Sequence, residues 1–369
     1  MKERVRKIFD ALGGRAEALI LANSTDPHLD QSFFYLFDVP SGLFEGSVAI
    51  AFPDGRTTVF SSLLEEESAR QAAKRDPSVT VEVPTAKAER DRLLQSLVPA
   101  TGTVALDYRE LTHEWFQTLE KALPGRTWTD ASDAIRSTRM IKDAEEIARL
   151  RRAADIGSQV AREIPGMLRA GIAEYELAAD IEHQMMRHGS SGRSFSTITA
   201  FGPAGAEPHY SPGDRRLESG MSIVCDFGAL YQRYASDITR SFHYGTRDSE
   251  LKQVHDKVFE AQSAALSVIR AGVPAREVHL AAQHVIDASP WKGRFIHGLG
   301  HSIGLAVHDG FGMNHLSEER LAAGMTVTVE PGIYLPGRGG VRIEDDIVVT
   351  KGGYEFLTTA PREYLEVGA

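Results

Sequence analysis

Cysteine is almost absent from this chain: Cys225 is the single cysteine among 369 residues, so an intramolecular disulfide cannot form. This composition fits a reducing compartment, and we expect a cytoplasmic protein. Long apolar runs are also lacking, because no segment approaches the roughly 20 apolar residues of a membrane helix. The opening segment MKERVRKIFDALGG has no apolar core of signal-peptide length and predicts an amphipathic helix. We therefore expect no membrane association.

An excess of basic residues is lacking as well, since the net charge is −10. Nucleic-acid-binding domains usually carry a basic field, so we expect no nucleic-acid partner. Hydrophobic residues make up 42% and charged residues 25% of the chain, which is typical of a globular protein. The length fits two domains.

The first third of the chain alternates strand-like and helix-like segments. EALILAN (17–23) predicts a strand, and SVAIAFPDGRTTVFSS (47–62) predicts a hairpin with its turn at Pro53-Asp54-Gly55. Such alternation predicts an α/β domain with a largely buried sheet. The pattern loosens over 125–140 before a long charged helix begins. We therefore predict two domains, 1–137 and 138–369.

The second domain mixes long helices with strands and hairpins, which predicts an α+β architecture. Four of its acids stand in segments that are typical of buried strands: Asp226, Asp237, Glu330 and Glu344. An ion pair or an exposed strand face could explain any one of them. Ion pairing of all four acids would need several buried cations. Arg240 and Arg342 are the only basic residues in the four segments, which are SIVCDFG (222–228), YASDITRSF (234–242), TVTVEPGIYL (326–335) and GGVRIEDDIVV (339–349).

Three histidines crowd a fifth segment, HGLGHSIGLAVHD (297–309), which is otherwise typical of buried sheet. A metal site explains both oddities. Four carboxylates and one neutral imidazole carry −4, which two divalent cations balance with +4. Oxygen-rich ligands with one nitrogen suit manganese, cobalt or zinc, and ligand type does not distinguish these metals. Paired ions of this kind form hydrolytic centres, because a water between them loses its proton near neutral pH.

These segments resemble those of the pita-bread metallopeptidases, which include methionine aminopeptidase, aminopeptidase P and prolidase. The similar stretches are AFGPAGAEPHYSPGD (200–214), CDFGALYQRYASDITRSF (225–242), HGLGHSIGLAVHD (297–309), VEPGIY (329–334) and GVRIEDDIVVT (340–350). The resemblance implies an α+β pita-bread catalytic domain that binds two divalent metal ions per subunit, with manganese favoured and cobalt or zinc as alternatives. It assigns the metal ligands to Asp226, Asp237, His301, Glu330 and Glu344.

The same resemblance implies roles for further residues. His308 would contact the scissile carbonyl or the tetrahedral intermediate, His209 would lie near the leaving group, and Glu330 would also move the proton. His297 would line the substrate pocket, where the alternative is an ordinary core histidine. Arg342 and Tyr334 would hydrogen-bond the ligands and position the attacking oxygen, although Tyr334 could instead be a packing aromatic.

The stretch FFYLFDVPSGLFEGSVAIAFPDG resembles the α/β amino-terminal domain of creatinase, prolidase and aminopeptidase P. This favours the proline-specific branch, in which the substrates are small peptides with proline at the second position and the enzymes are commonly homodimers. We expect an Xaa-Pro dipeptidase (prolidase) on the basis of chain length. The alternatives are an aminopeptidase P that acts on longer peptides, a non-peptide amide substrate, and a metal-free binding module of the same fold.

Overall fold

The computed structural model describes residues 1–246 and 248–368, and the chain divides into two compact units, Met1–Arg139 and Met140–Ala369. Within the described residues, no helix combines the length and the apolar character that crossing a membrane requires.

The first unit is built around one mixed six-stranded sheet, with the strand order β4-β3-β2-β1-β5-β6. Its elements are α1 Lys2–Leu12, β1 Ala18–Ala22, α2 Gln31–Phe37, β2 Val48–Ala51, β3 Thr57–Phe60, α3 Glu66–Arg75, β4 Val79–Glu82, α4 Lys87–Leu97, β5 Thr103–Leu106, α5 His113–Ala122, β6 Thr127–Asp130 and α6 Ser132–Met140. The predicted hairpin is confirmed, because β2 and β3 pair in antiparallel register. The amphipathic first helix is also confirmed: Val5, Ile8, Phe9 and Leu12 are buried.

The second unit carries helices and several small sheets. Its elements are α7 Ala144–Met167, α8 Glu174–Arg187, β7 Gly192–Arg193, β8 Ile198–Phe201, a 3-10 helix Gly202–Ala206, β9 Met221–Phe227, β10 Ala229–Tyr231, β11 Tyr234–Ala235, β12 Ile238–Tyr244, α9 Ser249–Val268, α10 Ala275–Asp287, β13 Gly300–His301, β14 Gly312–Met313, β15 Thr326–Val329, β16 Gly332–Leu335, β17 Gly339–Arg342, β18 Asp345–Val349, β19 Tyr354–Phe356 and β20 Leu365–Val367.

Each pair of long helices covers one sheet of the second unit. Residues of α7 and α8 pack against Ile223, Cys225 and Phe227 of β9 in one apolar cluster. Residues of α9 and α10 pack in the same way against β15 and β18, including Val327 and Val329. Since side chains alternate between the two faces of a strand, the residues between these apolar ones point away from the helices. Asp226, between Cys225 and Phe227, is one of them.

Several expectations about local structure are wrong. The segment 125–140 is regular, because it contains β6 and α6. Asp237 and Glu344 do not lie inside strands: Asp237 directly precedes β12, and Glu344 separates β17 from β18. The chain passes between sheets at Glu344, so its N–H leaves the strand ladder and donates to the carbonyl of Thr239 at 3.2 Å.

The histidine-rich segment 297–309 is mostly loop rather than buried sheet. Only Gly300 and His301 form a strand, which pairs with Gly312 and Met313. A Cβ atom at Gly300 would collide with the carbonyl oxygen of Thr328, so glycine permits this close approach. The chain then folds back, and the N–H of Asp309 donates to the carbonyl of Ser302 at 2.9 Å.

Candidate metal centre

Strands β9 and β12 place Asp226 opposite Thr239 in antiparallel register, on the face that points away from the helices. A guanidinium reaches this face from β17: Arg342 Nη2 donates to Asp226 Oδ2, and Arg342 Nε donates to Thr239 Oγ1 at 2.9 Å. Thr239 Oγ1 in turn donates to Glu344 Oε2 at 2.6 Å. The strand register therefore connects two of the predicted ligands through one hydroxyl and one cation.

Asp237, His301 and Glu344 each offer a ligand atom within 4.8 Å of the other two. Glu330 joins this group through His301, whose Nε2 lies 3.5 Å from Glu330 Oε1 and 3.6 Å from Asp237 Oδ2. The structure thus brings together residues that lie more than 100 positions apart in the sequence.

The orientation of the His301 ring fits a metal ligand. Its Nδ1 lies 3.3 Å from the carbonyl of Ser302, which assigns the ring proton to Nδ1 and leaves a lone pair on Nε2. Burial lowers the pKa of His301 to about 4, so the ring is neutral. A lone pair that faces two carboxylates is repelled by both, and a cation between them turns this repulsion into attraction.

The carboxylates show the same need for positive charge. Burial first, and then neighbouring carboxylates such as Glu344 and Glu330, raise the pKa of Asp237. Burial, followed by Glu330 and Asp226, likewise raises the pKa of Glu344. Asp226 Oδ1 and Asp237 Oδ1 are buried and have no hydrogen-bond partner within the described part of the chain. Buried acceptors of this kind are costly unless they coordinate a cation, so the residues present fit divalent metal ions.

Further residues hold this group, and most of them gave no distinct signal in the sequence. The N–H of Asp237 donates to Asp346 Oδ2 at 2.9 Å, and Arg240 Nη1 donates to the carbonyl of Glu344 at 2.6 Å. Thr328 Oγ1 accepts from the N–H of His301 at 3.0 Å and lies 3.3 Å from Glu330 Oε1. Arg240 stood out as a buried cation, whereas a threonine in a strand is ordinary and could not be singled out.

The other predicted histidines surround the centre. The ring of His308 packs edge-on against His301, with ring centroids 4.1 Å apart. His209 is exposed and follows Pro208, whose carbonyl accepts from Arg342 Nη1 at 3.4 Å. Burial lowers the pKa of His308, and repulsion from His209 adds to this effect.

His297 and Tyr334 form one hydrogen-bonded chain with Arg342. His297 Nδ1 lies 2.7 Å from the carbonyl of Gly298, so its Nε2 accepts from the Tyr334 hydroxyl at 2.8 Å. That hydroxyl oxygen accepts from Arg342 Nη1 at 3.1 Å. Burial raises the pKa of Tyr334 to about 12, which keeps its phenol protonated so that it can donate to His297.

Comparison with known proteins explains the arrangement. Residues 148–351 match the model of metallopeptidase family M24, and residues 2–141 match the creatinase/prolidase N-terminal domain. The chain belongs to metallopeptidase family M24. The expected resemblance to the pita-bread metallopeptidases, with a creatinase-like amino-terminal domain, is thereby confirmed.

Solved structures similar to this M24 chain include members of the proline-specific branch. An X-Pro aminopeptidase from Thermotoga maritima is 31% identical, with 95% of this chain and 98% of that chain covered at a TM-score of 0.88. A Xaa-Pro dipeptidase from Bacillus anthracis is 31% identical, with 99% of each chain covered at a TM-score of 0.88. An uncharacterized peptidase of Staphylococcus aureus is 35% identical over 71% of this chain and 75% of its own length. Both expected activities are thus represented among the similar structures.

Proposed function

We propose that this M24 chain is a dinuclear-metal exopeptidase that hydrolyses the Xaa-Pro peptide bond. The observation that carries the proposal is the His301 lone pair, which faces Asp237 and Glu330 beside Glu344. The similarity to a Xaa-Pro dipeptidase and an X-Pro aminopeptidase over nearly the whole chain supports the choice of substrate.

Five residues would hold the two ions: Asp226, Asp237, His301, Glu330 and Glu344. Manganese is the favoured metal, with cobalt and zinc as alternatives. When bound, such ions polarise a carbonyl and lower the pKa of a water molecule to near neutrality. Burial, with neighbouring carboxylates, raises the pKa values of Asp237, Glu330 and Glu344, and the positive charge of bound ions would favour their ionised forms.

The remaining residues would act on the peptide. Glu330 would carry a proton at Oε1 to the leaving nitrogen, which in an Xaa-Pro bond belongs to the proline ring. His308 would donate a hydrogen bond to the oxygen that gains charge, and removing one such donor typically costs about 100–1000-fold in rate. His209, His297 and Tyr334 would contact the substrate, and Arg342 would hold Tyr334 and Asp226 in place.

The sequence favours a dipeptidase, but one observation favours a second form of the activity, an aminopeptidase that accepts longer peptides. A dipeptidase must bind a free carboxylate close to the cleaved bond. The guanidinium of Arg342 already donates to Asp226, Thr239, Tyr334 and the carbonyl of Pro208. Four of its five N–H donors are therefore engaged within the site rather than available to a substrate carboxylate.

The test is hydrolysis of Ala-Pro, Ala-Pro-Ala and a longer Xaa-Pro peptide by chelator-treated protein with manganese, cobalt or zinc added. We expect cleavage of the bond before proline, with activity restored as two equivalents of metal bind. Ala-Ala-Ala serves as the control peptide without proline. Tight binding of two ions with no cleavage of any Xaa-Pro peptide would refute the proposal. The homodimer expected from the resemblance can be checked by sedimentation of the same preparation.

A further inference from the structure

His209 belongs to a loop outside the helices and strands of the second unit. This segment, the His209 loop, covers residues 207–220, between the 3-10 helix Gly202–Ala206 and the start of β9 at Met221. His209 lies near its beginning and is exposed. A group that acts on a bound peptide must keep one position, because small misplacements are costly to the rate. The neighbours that fix the His209 loop therefore decide whether His209 can act.

One buried carboxylate gathers three donors from this part of the chain. Glu174 is the first residue of α8 and is fully buried. Its Oε2 accepts from the hydroxyl of Tyr210 at 2.8 Å and from the N–H of Gly213 at 3.0 Å. Its Oε1 accepts from the N–H of Phe201, the last residue of β8, at 2.9 Å. Glu174 thus ties the part of the loop that follows His209 to the end of β8.

A second anchor holds the loop on the other side of His209. The carbonyl of Pro208 accepts from Arg342 Nη1 at 3.4 Å, and Arg342 also donates to Asp226 of the metal centre. His209 therefore lies between one anchor that belongs to the metal centre and one that does not. Because the chain is held directly before and directly after this residue, the two anchors together restrict where its imidazole can point.

The hydrogen bonds of Glu174 require a carboxylate. Its cationic neighbour Arg215 has its Nε 3.9 Å from Oε1 and is 43% exposed, so solvent screens much of their attraction. The three donors therefore offset most of the cost of burying the acid. A glutamine of the same shape has one acceptor oxygen and one amide NH₂ group, so an N–H would face the N–H of either Phe201 or Gly213. The acid is thus matched to the donors of β8 and the loop.

Resting on the proposed Xaa-Pro activity, we propose that Glu174 is a positioning residue that fixes the His209 loop and so holds His209 against the leaving side of the substrate. Within the described residues, the carboxylate of Glu174 accepts from the loop and from β8 but from none of the five predicted metal ligands. Its effect on the reaction therefore passes through His209 rather than through the metal ions.

The experiment is a double-mutant cycle. Glu174→Gln keeps the shape and removes the charge, whereas Tyr210→Phe removes only the hydroxyl, and each is made alone and together with His209→Ala. The values of kcat and KM are measured with Ala-Pro or Ala-Pro-Ala, whichever the unmodified chain cleaves faster. Glu176→Gln is the matched control, because Glu176 lies in the same turn of α8, is 40% exposed and accepts from the N–H of Ala173 at 2.7 Å.

We expect Glu174→Gln to lower kcat by about 10–100-fold and to change KM by less than about threefold, since a misplaced group slows the chemical step more than it weakens binding. Tyr210→Phe should lower kcat by about fivefold, the loss expected for one hydrogen bond. In the His209→Ala background, both substitutions should change kcat by less than about twofold, because the group they position is gone. Glu176→Gln should stay within about twofold of the unmodified chain.

An equal loss of kcat from Glu174→Gln with and without His209 would show that the inference is wrong, while the Xaa-Pro activity would stand. Full activity of His209→Ala alone would overturn it as well. Calorimetric titration with manganese should give the same affinity for Glu174→Gln as for the unmodified chain, and weaker binding would mean that Glu174 acts through the metal centre. If Glu174→Gln does not fold, the cycle with Tyr210→Phe decides. If the unmodified chain cleaves no Xaa-Pro peptide, the proposed function and the inference both fail.

Discussion

The hydroxyl of Thr239 offers a sharp test of how the centre is held. It accepts from Arg342 Nε at 2.9 Å and donates to Glu344 Oε2 at 2.6 Å, and the residue is fully buried. Thr239→Val keeps the β-branched shape that suits β12 and removes only this hydroxyl. Because the same oxygen serves a cation and a carboxylate, its loss should loosen Glu344 and leave one buried N–H unsatisfied.

The magnitude follows from those two bonds. Hydrogen bonds to charged groups contribute about 1.5–3 kcal/mol each, and solvent cannot reach the abandoned groups. We expect the free energy of unfolding to fall by about 3–6 kcal/mol, the sum of two such bonds. Residues that orient metal ligands typically cost about 10–100-fold in metal affinity or activity when they are changed, and we expect a loss of that size in both.

The assay pairs urea unfolding with calorimetric metal titration and kcat/KM for Ala-Pro-Leu-amide. Thr57→Val is the matched control, because Thr57 lies in a buried strand and its hydroxyl has no hydrogen-bond partner among the described residues. If the Thr239→Val variant folds and its metal affinity and kcat/KM stay within twofold of those of the unmodified chain, the Thr239 hydroxyl does not hold the metal centre. Equal losses of metal affinity and kcat/KM in Thr239→Val and Thr57→Val would also show that these losses do not arise from the hydrogen bonds of Thr239.

Three further predictions concern stability and reactivity. Burial lowers the pKa of His255 from 6.5 to about 4, so between these pH values the unfolded chain binds a proton that the folded chain excludes. The free energy of unfolding should therefore be highest above pH 6.5 and fall by about 3 kcal/mol as the pH drops towards 4. Urea titrations should show this pH dependence weakened in His255→Gln but not in the variant of exposed His183, His183→Gln. Lys142→Met should lower the free energy of unfolding by about 3 kcal/mol in the same assay, because Lys142 Nζ lies 3.4 Å from the buried carboxylate of Asp309; no change would show that the ion pair is dispensable. Burial raises the pKa of the Cys225 thiol, so a thiol reagent should modify it only as fast as the chain unfolds, and rapid labelling of the native protein would contradict its burial.

Much of the fold and the candidate ligands could be predicted from residue order alone. Periodicity predicted α1 and the hairpin of β2 and β3, because alternation and turn residues report local geometry. Acids inside apolar segments, together with a histidine cluster, indicated a metal site, because buried charge needs a counter-charge.

Tertiary structure decided what local pattern could not express. Glu344 lies at a break between strands because the chain changes sheet there, and a run of β-branched residues does not show where such a change occurs. Thr239 connects Glu344 with Arg342 across more than 100 positions, a contact that depends on strand register rather than on residue type. The amino-acid sequence thus predicted which groups need a cation, since that follows from the chemistry of each side chain. Only packing determined which neighbours hold these groups, since this depends on distances between segments that are remote in the chain.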